Sequence, residues 1–512
     1  MVQPHDVRPI IHVSPRRRWV NWHESFSQPL KKLVDVWNHE PGVSAVHFYN
    51  GTTAGLQDLI QEALDAGTAI RGLGGGWSLS RVAATDGILI NTKPLNYRFS
   101  IRAAQVHPQY QGEAANLVFA QCGMSIAELH KYFNARGKSL KTCGASNGQT
   151  IAGALSTGTH GSAIDVGSIA DYVVGLHIIV TPERHVWLER HSSPVVVDGF
   201  PRAFGAELIR DDALFHAALV SFGSFGIIHG VLVEAEDLYY LHASRKRMPF
   251  NEGLWAAIDR LDFAQLPLER PAQERPYHFQ VVIDPHDMAG GGYVTVMYKD
   301  ATRDPDARPP SSGSKVTEGD AALEVIGAIL DLASDLTPFA VSQLTRLVYQ
   351  DFDNVSGTLA EIFTDTTTRG KAASAAMGLP LGRVREALDI ALRINRTYPF
   401  PGLFAVRYVK SSQATLAFTN HPDHTCILEL DGPNSRSTQT FYRRLWKRFD
   451  AVGIPYTFHW GKMNNLNAER VRAMYGEAVI EQWRAARHTL LDSPALRTVF
   501  ANQFVRNLGL DT

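Results

Sequence analysis

His459-Trp460-Gly461-Lys462 sets an imidazole three residues ahead of an ammonium, at the end of a strand-like stretch. An imidazole titrating near neutrality beside a cation suits removal of a proton from an alcohol; a lone core histidine is the plainer alternative. Gly72-Leu73-Gly74-Gly75-Gly76-Trp77-Ser78 also follows a strand-like stretch. Its amides suit a nest for phosphate oxygens, and equally a glycine-rich turn. A Rossmann fingerprint needs glycine at the sixth position and a helix opening there, whereas this stretch has Trp77 followed by loop and strand. Gly144-Ala145-Ser146-Asn147-Gly148 fits the G-x-S-x-G pattern of a hydrolase elbow. The polar Lys138–Thr142 before it and the Gly, Ser and Thr content after it deny the buried strand and packed helix that an elbow needs. His421-Pro422-Asp423-His424 and the pair Glu183 and His185 read as polar turns, without the helical frame of a metal site.

These groups need elements to hold them. Val43–Tyr49 reads as a short strand, Thr53–Ala66 as a helix closed by Gly67, and Thr68–Arg71 as the strand feeding the glycine loop. Leu117–Cys122 alternates as a strand, and Ser125–Arg136 is a helix with Ser125 as N-cap, Glu128 three residues on and Gly137 at its end. Thr142–Ser162 is then a glycine-rich loop before strands at Tyr172–Thr181 and Gly226–Glu234. Beyond residue 240 the spacing predicts strands at Tyr277–Asp284, Tyr293–Lys299, Phe404–Val409 and Cys426–Leu430, with helices at Leu381–Thr397 and Thr438–Val452. Asp300–Thr317 reads as an exposed loop, and Tyr456–Trp460 as a last strand before a helical tail. The fold class is α+β.

With 512 residues, 45% apolar and 20% charged, the chain is an ordinary folded protein of several domains. Its net charge of −1 supplies no global field for nucleic acid or an anionic membrane. Cys122, Cys143 and Cys426 form no CxxC pair, and the cysteine count with no signal-peptide pattern gives a cytoplasmic expectation. No apolar run of 18 residues or more predicts a membrane span; Val173–Val180 and Ala321–Leu332 are interrupted or amphipathic.

Taken in order, the motifs resemble those of the vanillyl-alcohol oxidase family with a PCMH-type FAD-binding domain, nearest its alditol and aldonolactone oxidase branch. The resemblance rests on Arg71–Ser78, Ile151–Ser162, Gly223-Ser224-Phe225-Gly226-Ile227-Ile228 and His459–Lys462. It implies an FAD-binding domain over 1–240 in two subdomains (about 40–110 and 111–240), a cap over 241–455 that forms the substrate pocket, and a segment over 456–512 that returns to complete the flavin site. It further implies that Gly72, Gly74, Gly75, Gly76, Trp77 and Ser78 lie along the pyrophosphate. Gly153, Ala154, Thr157, Gly158, His160, Gly161 and Ser162 would lie along ribityl chain, phosphates and ring, and Gly226 and Ile228 near the adenosine end. His459 would take the hydroxyl proton of a small alcohol, polyol or lactone, with Arg407 and Lys462 stabilising the reduced ring and oxygen as the acceptor. Use of another acceptor and a redox-inactive flavin protein are the alternatives.

Two departures from the family pattern carry expectations. Trp77 stands where many relatives have the histidine that bonds the flavin, so non-covalent FAD is expected. Ala405 stands where the family has the glutamate of an E-x-R pair ending in Arg407, which removes a polyol-orienting carboxylate and admits an apolar, aromatic or sterol-like alcohol. Tyr298, His278, Gln280 and Tyr408 are the cap residues expected near the pocket, with the inward strand face left open.

Overall fold

In the computed structural model, which describes residues 9–38, 45–271, 273–310, 337–364 and 372–511, three sheets of four, six and eight strands carry the architecture. The first sheet runs Ile10–Ser14, Lys32–Trp37, Ile88–Asn91, Ile70–Leu73; its last three strands are parallel. The helix Ala45–Asp65 lays Leu56, Leu59, Ile60 and Ala63 into one core with Val34, Val36, Ile70, Ile88 and Ile90 of that sheet. The strand expected at 43–49 is thus helix from Ala45 onward; 43 and 44 lie outside the described residues. Tyr49, Thr52, Thr53 and Leu56 are all buried at helical spacing. The two threonines, polar in the sequence, bond the carbonyls of Phe48 and Tyr49 one turn back and so conceal the apolar stripe.

The six-stranded sheet has the order Glu207–Arg210, His185–Glu189, Val173–Ile179, Ile227–Glu234, Leu117–Gln121, Arg98–Ser100. The helix Ile126–Asn134 leads from it, and its Ser125 and Glu128 form the reciprocal cap read from the sequence. The stretch 142–162, expected to be loop throughout, contains a short helix, Ile151–Ser156, capped by the Thr150 hydroxyl on the Gly153 amide. Ile151, Ala154 and Leu155 are buried there, so packing outweighs the weak helix propensity of the flanking glycines.

Eight strands form the third sheet, in the order Phe352–Thr358, Tyr240–Met248, Gly292–Asp300, His278–Ile283, Leu403–Lys410, His424–Pro433, Ala372–Pro380, Thr457–Phe458. Its Phe279, Val281, Phe404, Val406, Cys426 and Leu428 pack on the helices Glu252–Arg260, Val384–Thr397 and Arg436–Val452 in a second core. The helix expected at 438 begins at Arg436, because Ser435 caps it. Of the expected 300–317 loop, residues 311–317 lie outside the described residues, as does Ala321–Leu332.

After Thr457–Phe458 the chain crosses back. The Gly461 carbonyl accepts from the Leu79 and Ser80 amides, and the Ser80 hydroxyl donates to the Trp460 carbonyl. The helices Ala468–Tyr475 and Glu477–Leu490 join the core of the first two sheets through Val471, Ile480, Trp483 and Leu490. Arg71 fastens this seam, its buried guanidinium donating to the carbonyls of Val82, Phe222, Gly223 and Phe500. Among the described residues no helix is long and apolar enough to cross a membrane.

Candidate active site

A cleft runs between the three sheets, floored at one end by the glycine loop that leaves the strand Ile70–Leu73. That loop lies flat against the turn before the helix Ile151–Ser156. A Cβ on Gly74 would sit 2.0 Å from Thr150 Oγ1, and one on Gly75 would sit 2.8 Å from the Gly148 carbonyl. Gly76 has φ +72°, a left-handed value that glycine takes without strain. The amides of Gly75, Gly76, Trp77 and Ser78 donate to no described group, so the loop presents consecutive unsatisfied donors along the cleft. These residues are half-buried, and an anion with several acceptor oxygens suits such a run of free donors. Trp77 is clamped, stacked on Trp22 at 5.5 Å between ring centres, with His23 edge-on to it at 5.4 Å.

This close approach makes Gly74→Ala a direct test. The added methyl meets the hydroxyl that caps the neighbouring helix, so loop and cap must separate. Affinity for FAD is expected to fall at least tenfold in an apoprotein titration followed by flavin fluorescence. Retention of wild-type affinity would show that the loop yields without cost.

The other end of the cleft is charged. Arg407 lies on the strand Leu403–Lys410 and Glu429 on the neighbouring strand His424–Pro433, with Glu429 directly opposite Ala405 in the ladder. Arg407 Nε is 3.1 Å from Glu429 Oε2, a charge contact off the hydrogen-bond line that leaves the Nε–H unpartnered. Glu429 Oε1 lies 3.7 Å from His160 Nε2. Arg407, Glu429, His160 and His459 are all buried, and Lys462 is half-buried beside them. Burial pushes the Glu429 carboxyl up, but Arg407, Lys462 and His160 together hold it below the ordinary carboxylate range. Glu429 is therefore an anion balancing two cations.

The two imidazoles differ in tautomer, and their backbone partners decide which is which. His160 Nδ1 is 2.9 Å from the Gly161 carbonyl, which can only accept; Nδ1 therefore carries the hydrogen and Nε2 the lone pair. His459 Nδ1 accepts from the Gly461 amide at 2.9 Å, so its hydrogen is on Nε2. Burial lowers both rings, His160 to about 4 and His459 well below its usual value, and both are neutral at pH 7. On this geometry His160 rather than His459 offers a lone pair for a hydroxyl proton. Its Nδ1 lone pair is already engaged by the backbone and Nε2 presents a donor, while the available lone pair belongs to His160.

Of the positions read from the sequence, the cleft gathers Gly72, Gly74, Gly75, Gly76, Trp77, Ser78, Gly153, Ala154, Thr157, His160, Gly226, Ile228, Arg407, His459 and Lys462. Gly158, Gly161 and Ser162 are not brought to it. Gly158 lies under Phe418 with φ +72°, a Gly161 Cβ would sit 2.2 Å from Thr142 Oγ1, and the Ser162 hydroxyl donates to the Phe279 carbonyl at 2.6 Å. His278 and Gln280 share the sheet face of Arg407, since Gln280 pairs with it in register. Tyr298 and Tyr408 occupy the opposite, helix-covered face, where Tyr408 donates to the Ile258 carbonyl. Glu429, Asp431, His23, Thr92 and Cys122 line the cleft and were not singled out from the sequence. A glutamate between Leu428 and Leu430 in a run otherwise fit for a buried strand is the signal that marks Glu429.

The remaining motifs supply no catalytic frame, although Gly144, Ala145 and Ser146 line the cleft. Gly144–Gly148 lies in irregular chain, with neither a core strand before it nor a helix directly after, so the elbow geometry is absent. Asp423 turns the chain at φ +60° and His424 faces Asp165 at 3.3 Å; His185 bonds His177 at 2.8 Å. Among the described residues no group of three or more His, Cys, Asp or Glu is placed to hold a metal ion.

Residues 45–188 match the family model described as an FAD binding domain. The chain is 28% identical over 202 residues to D-arabinono-1,4-lactone oxidase of Eremothecium gossypii, which covers 39% of this chain and 34% of that protein. It thus spans about a third of the length of that relative. Over 488 residues it is 22% identical to L-gulono-1,4-lactone dehydrogenase of Mycobacterium tuberculosis, 93% of this chain and 99% of that protein. The fold matches the crystal structure of cholesterol oxidase from B. sterolicum with TM-score 0.71 and 16% identity, over 98% of this chain and 97% of that one. The run of unpartnered amides at Gly75–Ser78 fits the pyrophosphate of FAD.

Proposed function

The chain carries a PCMH-type FAD-binding domain, and from that premise we propose that it oxidises the CH–OH group of an alcohol, polyol or lactone, with oxygen as the acceptor. The observation that carries this reading is the buried group of Arg407, Glu429, His160, His459 and Lys462 at one end of a cleft whose other end suits a pyrophosphate.

Bound FAD supplies the acceptor for the hydride that leaves the carbinol carbon. The protein supplies the rest. Gly75–Ser78 hold the anionic pyrophosphate on their amides, while Gly153, Ala154 and Thr157 form a wall of small side chains beside it. As the C–H bond breaks and C=O forms, the hydroxyl proton passes to the His160 Nε2 lone pair, and the imidazolium so formed faces Glu429 Oε1. That carboxylate favours the charged ring as it appears, which offsets the burial that keeps the ring neutral at rest. Arg407 and Lys462 bring positive charge to the cleft and would stabilise negative charge that develops on a bound acceptor, and His459 offers its Nε2–H as a further donor. The low dielectric of a buried site strengthens each of these terms.

The test is anaerobic: the FAD-loaded protein is mixed with L-gulono-1,4-lactone, D-arabinono-1,4-lactone, xylitol and benzyl alcohol, and the visible flavin bands are followed. At least one donor is expected to bleach them, with peroxide formed on admitting air. If bound flavin stays oxidised with every donor, a redox-inactive flavin protein is the better reading.

FAD is further proposed to be held without a covalent bond. The nitrogen lone pair of the Trp77 indole belongs to the ring π-system, and burial raises the Cys122 thiol in the cleft to about 12, which keeps it protonated. Acid precipitation is expected to leave the yellow colour in the supernatant. Colour in the pellet would overturn this and point to another nucleophile.

A further inference from the structure

The Ala405 departure removes a carboxylate from the strand that bears Arg407, yet the structure contains one at almost the same place. Residues 405 and 429 are directly opposed partners on adjacent antiparallel strands, and such partners have Cβ atoms about 4.5–5.5 Å apart on one face of the sheet. A carboxylate on 429 therefore reaches the ground that one on 405 would cover. The alanine leaves room for it, and its own methyl joins Val282, Tyr293 and Leu403 in a small apolar cluster.

Glu429 has the attributes of a ligand-facing group. It is 4% exposed, lines the cleft and accepts no hydrogen bond from any described residue, although Arg407 Nε stands 3.1 Å away. A carboxylate used only to neutralise Arg407 would settle into the in-line, hydrogen-bonded geometry that such pairs adopt. Here the charges are close, while the acceptors on Glu429 stay open. Across the cleft His160 Nε2 presents a second acceptor 3.7 Å from Glu429 Oε1. Two acceptors converge on the same small volume, and hydroxyl groups on adjacent carbons, each able to donate, complement that arrangement.

We infer that Glu429 is the substrate-orienting carboxylate of this chain, transferred across the strand ladder from position 405, and that it selects a substrate with two vicinal hydroxyls. One hydroxyl donates to Glu429. Its neighbour, on the carbon being oxidised, donates to His160 Nε2. This rests on the oxidative reading of the site and adds to it the pattern of hydroxyls that the site recognises. The choice opened by Ala405 alone, an apolar or sterol-like alcohol, is closed again by Glu429.

The experiment uses the FAD-loaded full chain and anaerobic stopped-flow, with L-gulono-1,4-lactone and 1,2-hexanediol as vicinal diols and 1-hexanol and benzyl alcohol as lone hydroxyls. Three variants are compared with wild type: Glu429→Gln, Glu429→Ala, and Ala405→Glu/Glu429→Ala, which returns the carboxylate to the other strand. The flavin spectrum and thermal midpoint of each report whether FAD and fold are retained. Glu429→Ala is expected to slow reduction by the lone alcohols as well, since it removes the charge facing His160, and to slow reduction by the diols at least tenfold more. The exchanged double variant is expected to regain at least a tenth of wild-type rate with the diols.

Equal losses on diols and lone alcohols, or a double variant no better than Glu429→Ala while FAD and fold are retained, would leave Glu429 only its charge facing His160 and overturn the inference. If Glu429→Ala unfolds, Glu429→Gln and the double variant decide: wild-type diol preference in Glu429→Gln overturns the inference. Failure of the wild type to be reduced by any donor overturns instead the oxidative reading on which it rests.

Discussion

Replacing Arg407 by alanine is expected to slow substrate-dependent flavin reduction by roughly 10²–10³-fold, the loss typical when a preorganised donor to developing negative charge is removed, while FAD remains bound. The binding half of this expectation follows from distance along the cleft. The amides that suit the pyrophosphate lie on the 72–78 loop, whereas Arg407 sits on the third sheet among Glu429, His160 and Lys462. The rate half follows from charge. With Arg407 present, Glu429 is held ionised and the site carries two cations against one anion. Without it, the carboxylate faces Lys462 and a neutral imidazole, and burial pushes the Glu429 carboxyl up. The variant thus loses a cation and weakens the carboxylate's hold on its charge. Stripping one partner from a buried ion pair also costs about 3–5 kcal/mol of stability, so the thermal midpoint falls as well. Arg407→Lys separates the two effects: it restores charge and most of the stability but not the planar fork, and recovers only part of the rate. Anaerobic stopped-flow on FAD-loaded variants measures this. Wild-type reduction rates in Arg407→Ala would remove the guanidinium from the reaction.

How much of this was legible in the sequence depends on whether a residue's meaning is local. The Ser125–Glu128 cap, the 117–122 strand and the glycine loop were legible because capping, alternation and the loss of Cβ act within a few residues. The helix from Ala45 was not, because Thr52 and Thr53 bury hydroxyls that bond their own helix, and no one-dimensional pattern shows a satisfied polar group as apolar. The site divides in the same way. Gly74, His160 and Lys462 sit in recognisable strings. Glu429 belongs to none, since its role comes from the register that sets it opposite Ala405, a fact of strand pairing between residues 24 apart in the chain. The exchange of donor and acceptor between His160 and His459 is further from sequence still, being fixed by one carbonyl and one amide.

Register and burial also set the response to acid, where the second large effect is expected. His130, His160, His229 and His278 are buried, and burial lowers them to about 4, 4, 3 and 3 from an ordinary value of 6.5. Between pH 6.5 and about 4 the unfolded chain therefore binds protons that the folded chain refuses. Each depressed imidazole contributes stability that is full above 6.5 and is lost as pH falls through that window. Four such rings together set a slope on the order of 5 kcal/mol per pH unit near pH 5, which is large beside a typical total stability of about 5–15 kcal/mol. The depressed carboxyls Glu128, Glu234 and Glu429 act in the same sense only below about 4.5. Asp171 and Glu236, raised chiefly by burial, oppose it in the carboxylate range and leave the upper part of the window to the histidines. The thermal midpoint is accordingly expected to fall by roughly 10 °C between pH 7 and pH 5, in the FAD-free as well as the FAD-loaded protein. His130 identifies the source. Both of its ring nitrogens lack a hydrogen-bond partner and it lies outside the cleft, so His130→Leu removes one proton's worth of the slope while activity is unchanged. A midpoint flat from pH 7 to pH 5, or a His130→Leu variant as acid-sensitive as wild type, would mean that these rings are not held neutral by burial.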